Sequence, residues 1–408
     1  MAINNTGNII NSLLDQDLYK LTMCQFVLHQ FSGIEVEYEY RCRNVKVKWT
    51  QEMKHDLEEE IEHLCTLYFA EHELQYLSTL RFIKPDFIDF LRLFKLNKKY
   101  ISISYTEDNE LLLNIKGPWL MTIMFEVFLL SIINEIYFKY YGADNLDEGL
   151  KRLYNKIEYL KDKLNYTSYE DGLNVGRIDK NFKLVDFGAR RRYSRKWHEK
   201  IIPILKKELP DNFIGTSDVM MAMHNNIKPI GTHAHEFICA FQSLVRVKDS
   251  QKSAFQAWSN EYRGDLGIAL SDTLGIDAFI KDFDMYFCKL FDGCRQDSGN
   301  PFIWTDKIIK MYEGYNIDPK TKIAVYSDGL NFEQAIEIYK YVNGRMKTTF
   351  GIGTFITNDM GVEPLNIVIK MTKCQGMPVA KLSDSSGKIM CKDDNYLTYL
   401  KSQFGIMG

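Results

Sequence analysis

The sequence lacks the usual markers of several specialised protein classes. Its eight cysteines include no C-x-x-C pair, and the spacing of cysteine and histidine is too wide for a closed zinc site. We expect these thiols to be reduced, as in a cytosolic protein. Neither sign of charge dominates, since 51 basic residues stand against 54 acidic ones. A dedicated nucleic-acid or membrane-surface protein is therefore not expected.

Long apolar runs are also scarce. The most apolar stretch, residues 118–133, contains Glu126 and is followed at once by Asn134 and Glu135. A membrane-spanning helix needs about 20 mainly apolar residues, so we predict a buried core helix with Pro118 in its first turn. The first residues show no basic stretch followed by an apolar run, which favours a cytoplasmic location.

The chain does have enough apolar material for a large core. Of its 408 residues, 45% are hydrophobic, which suits two domains better than one. Residues 1–115 have the mixed pattern of an α+β domain: a strand in "IEVEYEYRCR", mainly helix over 51–99, and a hairpin turning at Asp108 and Asn109. An amphipathic helix is predicted from apolar residues at helical spacing, namely Leu14, Leu18, Leu21, Leu28 and Phe31.

From residue 180 onwards the pattern changes to short apolar runs that close on small, polar or charged residues, mostly with a helical stretch following. The eight runs are "FKLVDFGARR", "NFIGTSD", "KPIGTHAHE", "LGIALSD", "LFDGCRQDSG", "KIAVYSDG", "TTFGIGT" and "LNIVIKM". Alternation of strand and helix predicts parallel βα units. Eight strands within about 190 residues favour an α/β barrel over an open sheet, and we assign this barrel to residues 116–371.

Polar residues gather where these predicted strands end. In α/β barrels the reactive residues lie at the C-terminal ends of the strands, so the crowding predicts a pocket. The residues concerned are Asp186, Arg190, Arg191, Thr216, Ser217, His233, His235, Asp272, Arg295, Asp297, Asp328, Gly351 and Gly353.

Two of these strand ends carry arginine. In "DFGARRRYSR", Arg190, Arg191 and Arg192 are either a solvated face or, for one or two of them, guanidinium groups that bind oxyanions in the barrel mouth. In "CRQDSGNP", Arg295 and Asp297 point the same way on an extended backbone. They form either a local salt bridge or a cation and a carboxylate that serve a ligand.

Glycine marks two further strand ends. Gly351 and Gly353 in "TTFGIGT" form either a plain tight turn or a set of exposed backbone N–H groups for a phosphate, as barrels often place after late strands. Gly329 in "YSDGLN" stands at the preceding strand end and slightly strengthens the phosphate interpretation.

The run "GTHAHE" places His233, His235 and Glu236 within four positions. A zinc pair would need a third ligand, for which Asp272 is available. A nucleophile or acid–base group at His235, oriented by Asp272, fits the spacing better. From the residues alone, the pocket is an anion-binding barrel mouth with a reactive histidine and a phosphorylated substrate.

Together these blocks make the sequence resemble the nicotinate phosphoribosyltransferases of the bacterial ATP-coupled type. The matching stretches, in order, are "LLDQDLYKLTM", "YEYRCR", "KGPW", "DFGARRRYSR", "IGTSD", "GTHAHE", "IALSD", "RQDSG", "YSDG", "FGIGT", "PLNIVIK" and "VAKLSDSSGK". The resemblance covers nearly the whole chain. It implies an irregular α/β barrel with an N-terminal α+β domain that the C-terminal segment, about residues 372–408, completes.

The family's reaction is implied in the same way. It joins phosphoribose from phosphoribosyl pyrophosphate to nicotinate, releases pyrophosphate, and couples ATP through a phosphorylated histidine that His235 matches. Asp272 would orient this histidine. The implied cofactors are ATP and Mg²⁺, with no metal held by the protein alone. The implied assembly is a homodimer whose shared active sites take Tyr19 from the partner.

The resemblance also implies roles for the other strand-end residues. Aromatic faces would sandwich the pyridine ring, guanidinium groups would hold phosphate, pyrophosphate or the nicotinate carboxylate, and Asp297 would bind ribose hydroxyls. Backbone groups would hold the 5-phosphate, and the "GTSD" turn would meet the pyridine substituent. The aromatic residues are Tyr19 and Phe187, and the guanidinium groups are those of Arg190, Arg191 and Arg295. The backbone groups are those around Gly329, Gly351 and Gly353, and the turn residues are Thr216 and Ser217.

Two positions depart from the family pattern. Ala189 stands where relatives commonly have threonine, and His233 stands where glutamine is familiar, which makes a second phosphorylation site conceivable. Three alternatives stay open: a nicotinamide phosphoribosyltransferase, a non-catalytic barrel that binds a pyridine nucleotide, and a metal-dependent hydrolase. Because Ser217 occupies the position where amide-using relatives have a carboxylate, we expect a preference for nicotinate.

Overall fold

The computed structural model describes residues 7–406 except 45, 143–145, 171–172 and 386–388. The last three residues of the block "VAKLSDSSGK" therefore lie outside the described residues. The strands, β1 to β14, are Glu35–Cys42, Ile101–Tyr105, Leu111–Pro118, Asn165–Glu170, Leu173–Ile178, Lys183–Asp186, Phe213–Thr216, Lys228–Pro229, Ile268–Leu270, Gly293–Gln296, Ile323–Tyr326, Lys347–Ile352, Ile367–Cys374 and Met377–Pro378.

The helices alternate with these strands over most of the chain. In chain order, α1 to α17 are Leu18–Gln30, Gln51–Leu64, Glu71–Ser78, Pro85–Leu93, Trp119–Thr122, Phe125–Tyr141, Leu146–Leu164, Arg195–Glu208, Val219–Asn225, His235–Leu244, Ser250–Tyr262, Ile276–Asp282, Met285–Leu290, Pro301–Gly314, Phe332–Val342, Thr354–Thr357 and Asp394–Gln403.

An antiparallel sheet in the order β14-β13-β1-β3-β2 contains the N-terminal strands. β2 and β3 pair as the predicted hairpin, and Asn109 supplies the positive φ of 60° that its turn needs. β1 lies between β3 and β13, with Tyr38 opposite both Ile115 and Met371. The C-terminal stretch thus returns to the N-terminal sheet, while the predicted domain limits themselves remain a prediction.

Seven of the eight predicted strands form one curled parallel sheet in the order β8-β7-β6-β12-β11-β10-β9. The predicted eighth strand, "LNIVIKM", is β13 and pairs antiparallel with β1 instead. An apolar run rich in β-branched residues packs well into either sheet, so its sequence does not choose between them. β8 and β9 are the edge strands, and the Thr232 hydroxyl just beyond β8 donates to the Ile268 carbonyl of β9 at 3.0 Å.

Two helices form the interior between the sheets. α1 is predicted as amphipathic, which is wrong: every residue from Leu18 to Val27 is buried, because Lys20 and Gln25 have polar partners inside the protein. The predicted core helix is confirmed. The segment Trp119–Tyr141 is long and apolar enough to cross a membrane, yet 89% of its most apolar 18-residue stretch is buried within the protein. All eight cysteines lie among the described residues, and no disulfide joins any two of them, as expected.

Candidate active site

A cavity of about 560 Å³ opens at the C-terminal ends of the parallel strands, where the sequence predicted a pocket. Four of the predicted site residues, Asp186, Thr216, His233 and Asp272, are buried and do not line it. The others line it: Tyr19, Phe187, Arg190, Arg191, Ser217, His235, Arg295, Asp297, Asp328, Gly329, Gly351 and Gly353.

His235 is the first residue of α10 and faces a buried carboxylate. Its Nε2 lies 2.9 Å from Asp272 Oδ1, beyond the end of β9. The other oxygen of Asp272 accepts from Lys381 Nζ at 2.6 Å and from the Ser298 hydroxyl. Asp272 is completely buried. Its contact with Nε2 has the geometry that an orienting role requires, and that role stays a prediction.

The protonation states follow from burial and charge. Burial and the nearby Lys381 lower the pKa of His235 to about 4, so its imidazole is neutral at physiological pH. Burial alone would raise the pKa of Asp272, but His235 and Lys381 hold that pKa below its usual range. Since an ionised Asp272 accepts, Nε2 carries the proton, and Nδ1 has the lone pair.

Arg295 and Asp297 form the salt bridge that their spacing allowed, yet both still line the cavity. Arg295 Nη2 donates to Asp297 Oδ1 at 2.7 Å, and its Nε donates to the Ser327 hydroxyl. Asp297 Oδ2 lies 3.7 Å from both His235 Nε2 and Lys381 Nζ. The pair can therefore form a local salt bridge and still be positioned to bind a ligand.

Each aromatic side chain predicted to hold a ring has a guanidinium group near its face. The Arg190 guanidinium carbon lies 5.9 Å from the Tyr19 ring centre, and that of Arg295 lies 5.4 Å from the Phe187 ring centre. These distances allow cation–π attraction. A planar anion between the two rings would contact apolar faces and meet positive charge at its edge.

Tyr19 lines the cavity of its own chain, and the expectation that a partner subunit donates it stays a prediction. Helix α1 packs against the strand ends of the same chain: the Leu18 N–H donates to the Ser217 carbonyl at 2.8 Å. The neighbouring Lys20 pairs with Glu236, which follows His235 in α10. The sequence motif "DLYKL" could not show which chain's strands this helix packs against.

The three arginines after β6 have different environments. Arg190 and Arg191 line the cavity, where Arg190 Nη1 donates to Glu126 Oε1 at 3.2 Å and Arg191 Nε donates to the Ile367 carbonyl. Arg192 is fully buried and binds Asp15 through two nitrogens. Two of the three guanidinium groups thus line the cavity, and the sequence predicted one or two.

At Gly351 and Gly353 the absence of a side chain leaves room for Phe187. A Cβ on Gly351 would lie 2.3 Å from a ring carbon of Phe187, and a Cβ on Gly353 would lie 2.8 Å from the Phe187 carbonyl oxygen. Larger residues there would displace the ring. Gly329 has a φ of +60°, a left-handed turn conformation that glycine adopts without strain.

The "GTSD" turn presents Ser217 to the cavity and turns Asp218 away, as the register required. The Ser217 hydroxyl donates to Asp17, a cavity-lining carboxylate that the sequence analysis did not select. Asp218 is buried and caps α9 by accepting from the Met221 N–H. Thr216 is buried behind the wall, where its hydroxyl donates to Asp186 at 2.6 Å.

His233 does not line the cavity. Its ring is almost fully buried and packs on Phe237 and Trp258. Burial, with Arg295 and other positive charge nearby, lowers the pKa of His233 to about 3. It is placed as a packing residue, away from any phosphate donor in the cavity.

Several cavity residues gave no strong sequence signal. Lys370 lies in the apolar strand β13, Lys381 follows β14, and Arg43 follows β1. Each comes from the antiparallel sheet or its connections, so no pattern in the βα repeats pointed to it. The one available signal is a lysine inside an otherwise apolar strand, "NIVIKM", because buried lysines are rare without a function.

The electrostatic character of the cavity is cationic. Among the described residues, six lysine and arginine side chains line it against three aspartates. Burial, Lys381 and Arg43 lower the pKa of Lys370 to about 8, and burial and Arg190 lower that of Arg191 to about 10. Crowded cations of this kind suit a polyanionic ligand such as a diphosphate.

A zinc pair formed by the two histidines is not supported by their placement, since His233 packs in the core. Ligand atoms of His235, Asp272 and Asp297 do lie within 4.8 Å of one another. However, Lys381 contacts both carboxylates and Arg295 contacts Asp297. Their positive charge already compensates the cluster, which disfavours a divalent cation at its centre.

Comparison with known proteins agrees with this geometry. Residues 182–407 match the model of the nicotinate phosphoribosyltransferase family, and residues 14–134 match that of its N-terminal domain. The nicotinate phosphoribosyltransferase of Xylella fastidiosa is 50% identical over 404 residues, which cover 98% of each chain.

Solved structures give the same result. The nicotinate phosphoribosyltransferase of Vibrio cholerae superposes with a TM-score of 0.91 at 38% identity, covering 99% of this chain and 95% of that one. The enzyme of Porphyromonas gingivalis gives 0.89 at 31% identity, covering 98% and 100%. The resemblance drawn from the sequence motifs is confirmed.

Proposed function

Because the chain belongs to the nicotinate phosphoribosyltransferase family, we propose that it transfers phosphoribose from phosphoribosyl pyrophosphate to the ring nitrogen of nicotinate. The products are nicotinate mononucleotide and pyrophosphate, and the reaction salvages nicotinate for NAD synthesis by the Preiss–Handler route. The observation that carries the proposal is a neutral His235, backed by ionised Asp272, in a cavity with six cationic side chains.

The tautomer of His235 supports ATP coupling. With its proton on Nε2, the lone pair on Nδ1 attacks the γ-phosphorus of ATP, a P–N bond forms, and the P–O bond to ADP breaks. Asp272 stabilises the positive charge that develops on the imidazole. His235 begins α10, so the positive end of the helix dipole favours the phosphate that it receives.

Phosphoribosyl transfer needs charge stabilisation and no general base, because the nicotinate ring nitrogen has no proton to lose. Arg190, Arg191 and Lys370 would neutralise the departing pyrophosphate. Asp297 would accept from the ribose hydroxyls, and backbone N–H groups around Gly353 would hold the 5-phosphate. Phosphorylated His235 adds charge beside this cavity and so favours one arrangement of the nearby side chains over another.

Magnesium fits this site as a partner of the substrate phosphates. Oxygen ligands are those that Mg²⁺ prefers, and Asp297 and Asp328 line the cavity. When bound, Mg²⁺ would neutralise charge on ATP and on the leaving pyrophosphate. The cluster around Asp272 already has Lys381 as its cation.

Selectivity for the acid rests on the surplus of positive charge. Arg190 and Arg295 would attract the nicotinate carboxylate and gain little from an amide. Asp17 is the observation that favours nicotinamide as a second candidate, because its carboxylate lines the cavity and would accept from a carboxamide. Its charge is offset by the Ser217 hydroxyl and by Arg190, whose Nε lies 3.7 Å away, so we place nicotinate first.

The assay is product formation from phosphoribosyl pyrophosphate with nicotinate or nicotinamide, analysed by chromatography and mass spectrometry. We expect nicotinate mononucleotide as the main product, and expect Ser217→Asp to lower nicotinate turnover more than nicotinamide turnover. Better catalytic efficiency with nicotinamide in the unaltered protein would reverse the assignment. Binding of the mononucleotide without any turnover would identify a non-catalytic protein instead.

The homodimer implied by the resemblance is a separate proposal. Tyr19 and His235 of one chain line one cavity, and the dimer with its shared active sites is tested apart from the reaction. Light scattering during size-exclusion chromatography tests the dimer directly, and an active monomeric fraction would remove it from the account.

A further inference from the structure

Behind the cavity wall, one fully buried lysine joins two carboxylates from different parts of the chain. Lys20 Nζ lies 2.6 Å from Glu126 Oε2 on α6 and 2.7 Å from Glu236 Oε2 on α10. The Lys20 side chain is completely buried, and neither it nor the two glutamates line the cavity. Burying an ammonium group costs free energy unless it is paired, so its position here calls for a structural or functional explanation.

Each member of this cluster adjoins a residue that does line the cavity. Glu126 Oε1 accepts from Arg190 Nη1 at 3.2 Å. Lys20 follows Tyr19 in α1, and Glu236 follows His235 at the start of α10. The Lys20 ammonium group therefore lies among the residues that bind or adjoin three cavity residues: Arg190, Tyr19 and His235.

Two cations, Lys20 and Arg190, face two buried glutamates, Glu126 and Glu236. Asp17 is a further carboxylate on the cavity side, 3.7 Å from Arg190 Nε. Burial opposes the charge on Lys20, but the two carboxylates raise its pKa above the usual value. Removing the ammonium would leave two neighbouring buried carboxylates with Arg190 as their nearest cation, and the guanidinium would then be drawn out of its present position.

We infer that Lys20 and Glu126 are positioning residues for Arg190: the buried Lys20–Glu126–Glu236 cluster fixes the guanidinium at the cavity wall for the phosphate groups of the substrate. This inference rests on the proposed function, in which Arg190 binds phosphate or pyrophosphate. Neither positioning residue touches a reacting atom, so their effect is expected in substrate binding more than in the chemical step.

The test is a mutant cycle read through the KM for phosphoribosyl pyrophosphate. Lys20→Met is expected to raise this KM about tenfold with a smaller change in kcat. In an Arg190→Ala background the same substitution should change KM by less than about twofold, because the group that it positions is already gone. Adding Glu236→Gln to Lys20→Met leaves Arg190 facing one buried glutamate and should recover most of the lost affinity.

A matched control lies on the same helix. Glu135 on α6 is another partly buried glutamate, whose carboxylate accepts from the Arg195 N–H and does not line the cavity. Glu135→Gln should leave the KM for phosphoribosyl pyrophosphate unchanged. If Lys20→Met does not fold, Glu126→Gln takes its place in the cycle, with the same expected dependence on Arg190.

Two results would overturn the inference. One is an unchanged KM in Lys20→Met or Glu126→Gln, and the other is an equal further loss of affinity in the Arg190→Ala background. Calorimetric binding of inorganic pyrophosphate to the same variants separates this question from the proposed reaction. A protein that transfers no phosphoribose but whose pyrophosphate affinity depends on Lys20 through Arg190 would refute the reaction and keep the positioning role.

Discussion

His235 Nε2 lies 2.9 Å from Asp272 Oδ1, where the start of α10 faces the end of β9. This contact ties the two candidate catalytic side chains together although they are 37 positions apart in the sequence. With Asp272 ionised, the contact leaves the lone pair on Nδ1, the nitrogen that the proposed phosphorylation uses. His233, two residues earlier, packs on Phe237 and Trp258 instead.

The two histidines should differ completely in phosphorylation. With ³²P-labelled ATP, His235→Ala is expected to abolish acid-labile label and ATP hydrolysis, because the nucleophile is lost. His233→Ala should keep the label, since that ring packs on Trp258 away from the cavity. A slow ATP-independent transfer of phosphoribose is expected to survive in the first variant as residual activity. Acid-labile phosphate found on His233 alone would refute the assignment.

Lys370 should give the reaction an alkaline limit. Its pKa is about 8, so the ammonium is charged below pH 8 and loses its proton above it. Attraction for phosphate is therefore present at lower pH and is lost as pH rises. We expect kcat/KM for phosphoribosyl pyrophosphate to fall above pH 8, by at most about tenfold per pH unit.

The replacement Lys370→Arg should extend the plateau to higher pH, because a guanidinium stays charged. Lys373 on the same strand is half-exposed and pairs with Glu37, so Lys373→Arg is the matched control and should leave the profile unchanged. The interpretation fails if Lys370→Arg shows the same alkaline fall as the unaltered protein.

Replacement of Gly351 by a larger residue should weaken nicotinate binding for steric reasons. An added methyl group would lie 2.3 Å from the Phe187 ring, so Gly351→Ala is expected to displace the ring and raise the KM for nicotinate about tenfold. Gly314→Ala, at the end of α14, meets no atom within 4 Å and serves as the control. Equal nicotinate kinetics in both variants would show that Phe187 does not hold the substrate.

Mixing two inactive variants tests where the tyrosine comes from. Tyr19 and His235 line one cavity in one chain, so Tyr19→Ala and His235→Ala should stay inactive when mixed and allowed to exchange subunits. Each resulting site would still contain one defect. Recovery of activity well above that of either variant would mean that Tyr19 serves a neighbouring subunit's cavity.

Most of the site could be predicted from the sequence because it lies on local βα units. Strand ends in a parallel sheet share one edge, so residues such as Arg190, Arg295 and Gly351 could be brought together without knowing the register. The long-range supports could not be predicted in this way. Lys381 reaches Asp272 across 109 positions, and Lys20 reaches Glu236 across 216, with no periodicity connecting either pair.

The errors in the fold have the same origin. β13 reads as one more buried strand, and only its antiparallel pairing with β1 excludes it from the parallel sheet. The polar residues of α1 predicted an exposed face, but Lys20 and Gln25 find their partners on distant segments. Short-range pattern identifies such elements and does not identify what they pack against.

In the proposed reaction, phosphorylation of His235 raises the efficiency with which nicotinate is used, and the cationic cavity sets the preference for the acid over the amide. The most direct measurement is kcat/KM for nicotinate and for nicotinamide, at saturating phosphoribosyl pyrophosphate, with and without ATP. The account predicts that ATP raises the value for nicotinate about tenfold or more, and that His235→Ala removes this increase while leaving nicotinamide the poorer substrate. A kcat/KM for nicotinate that ATP does not change in the unaltered protein, or a higher kcat/KM for nicotinamide than for nicotinate, would contradict it.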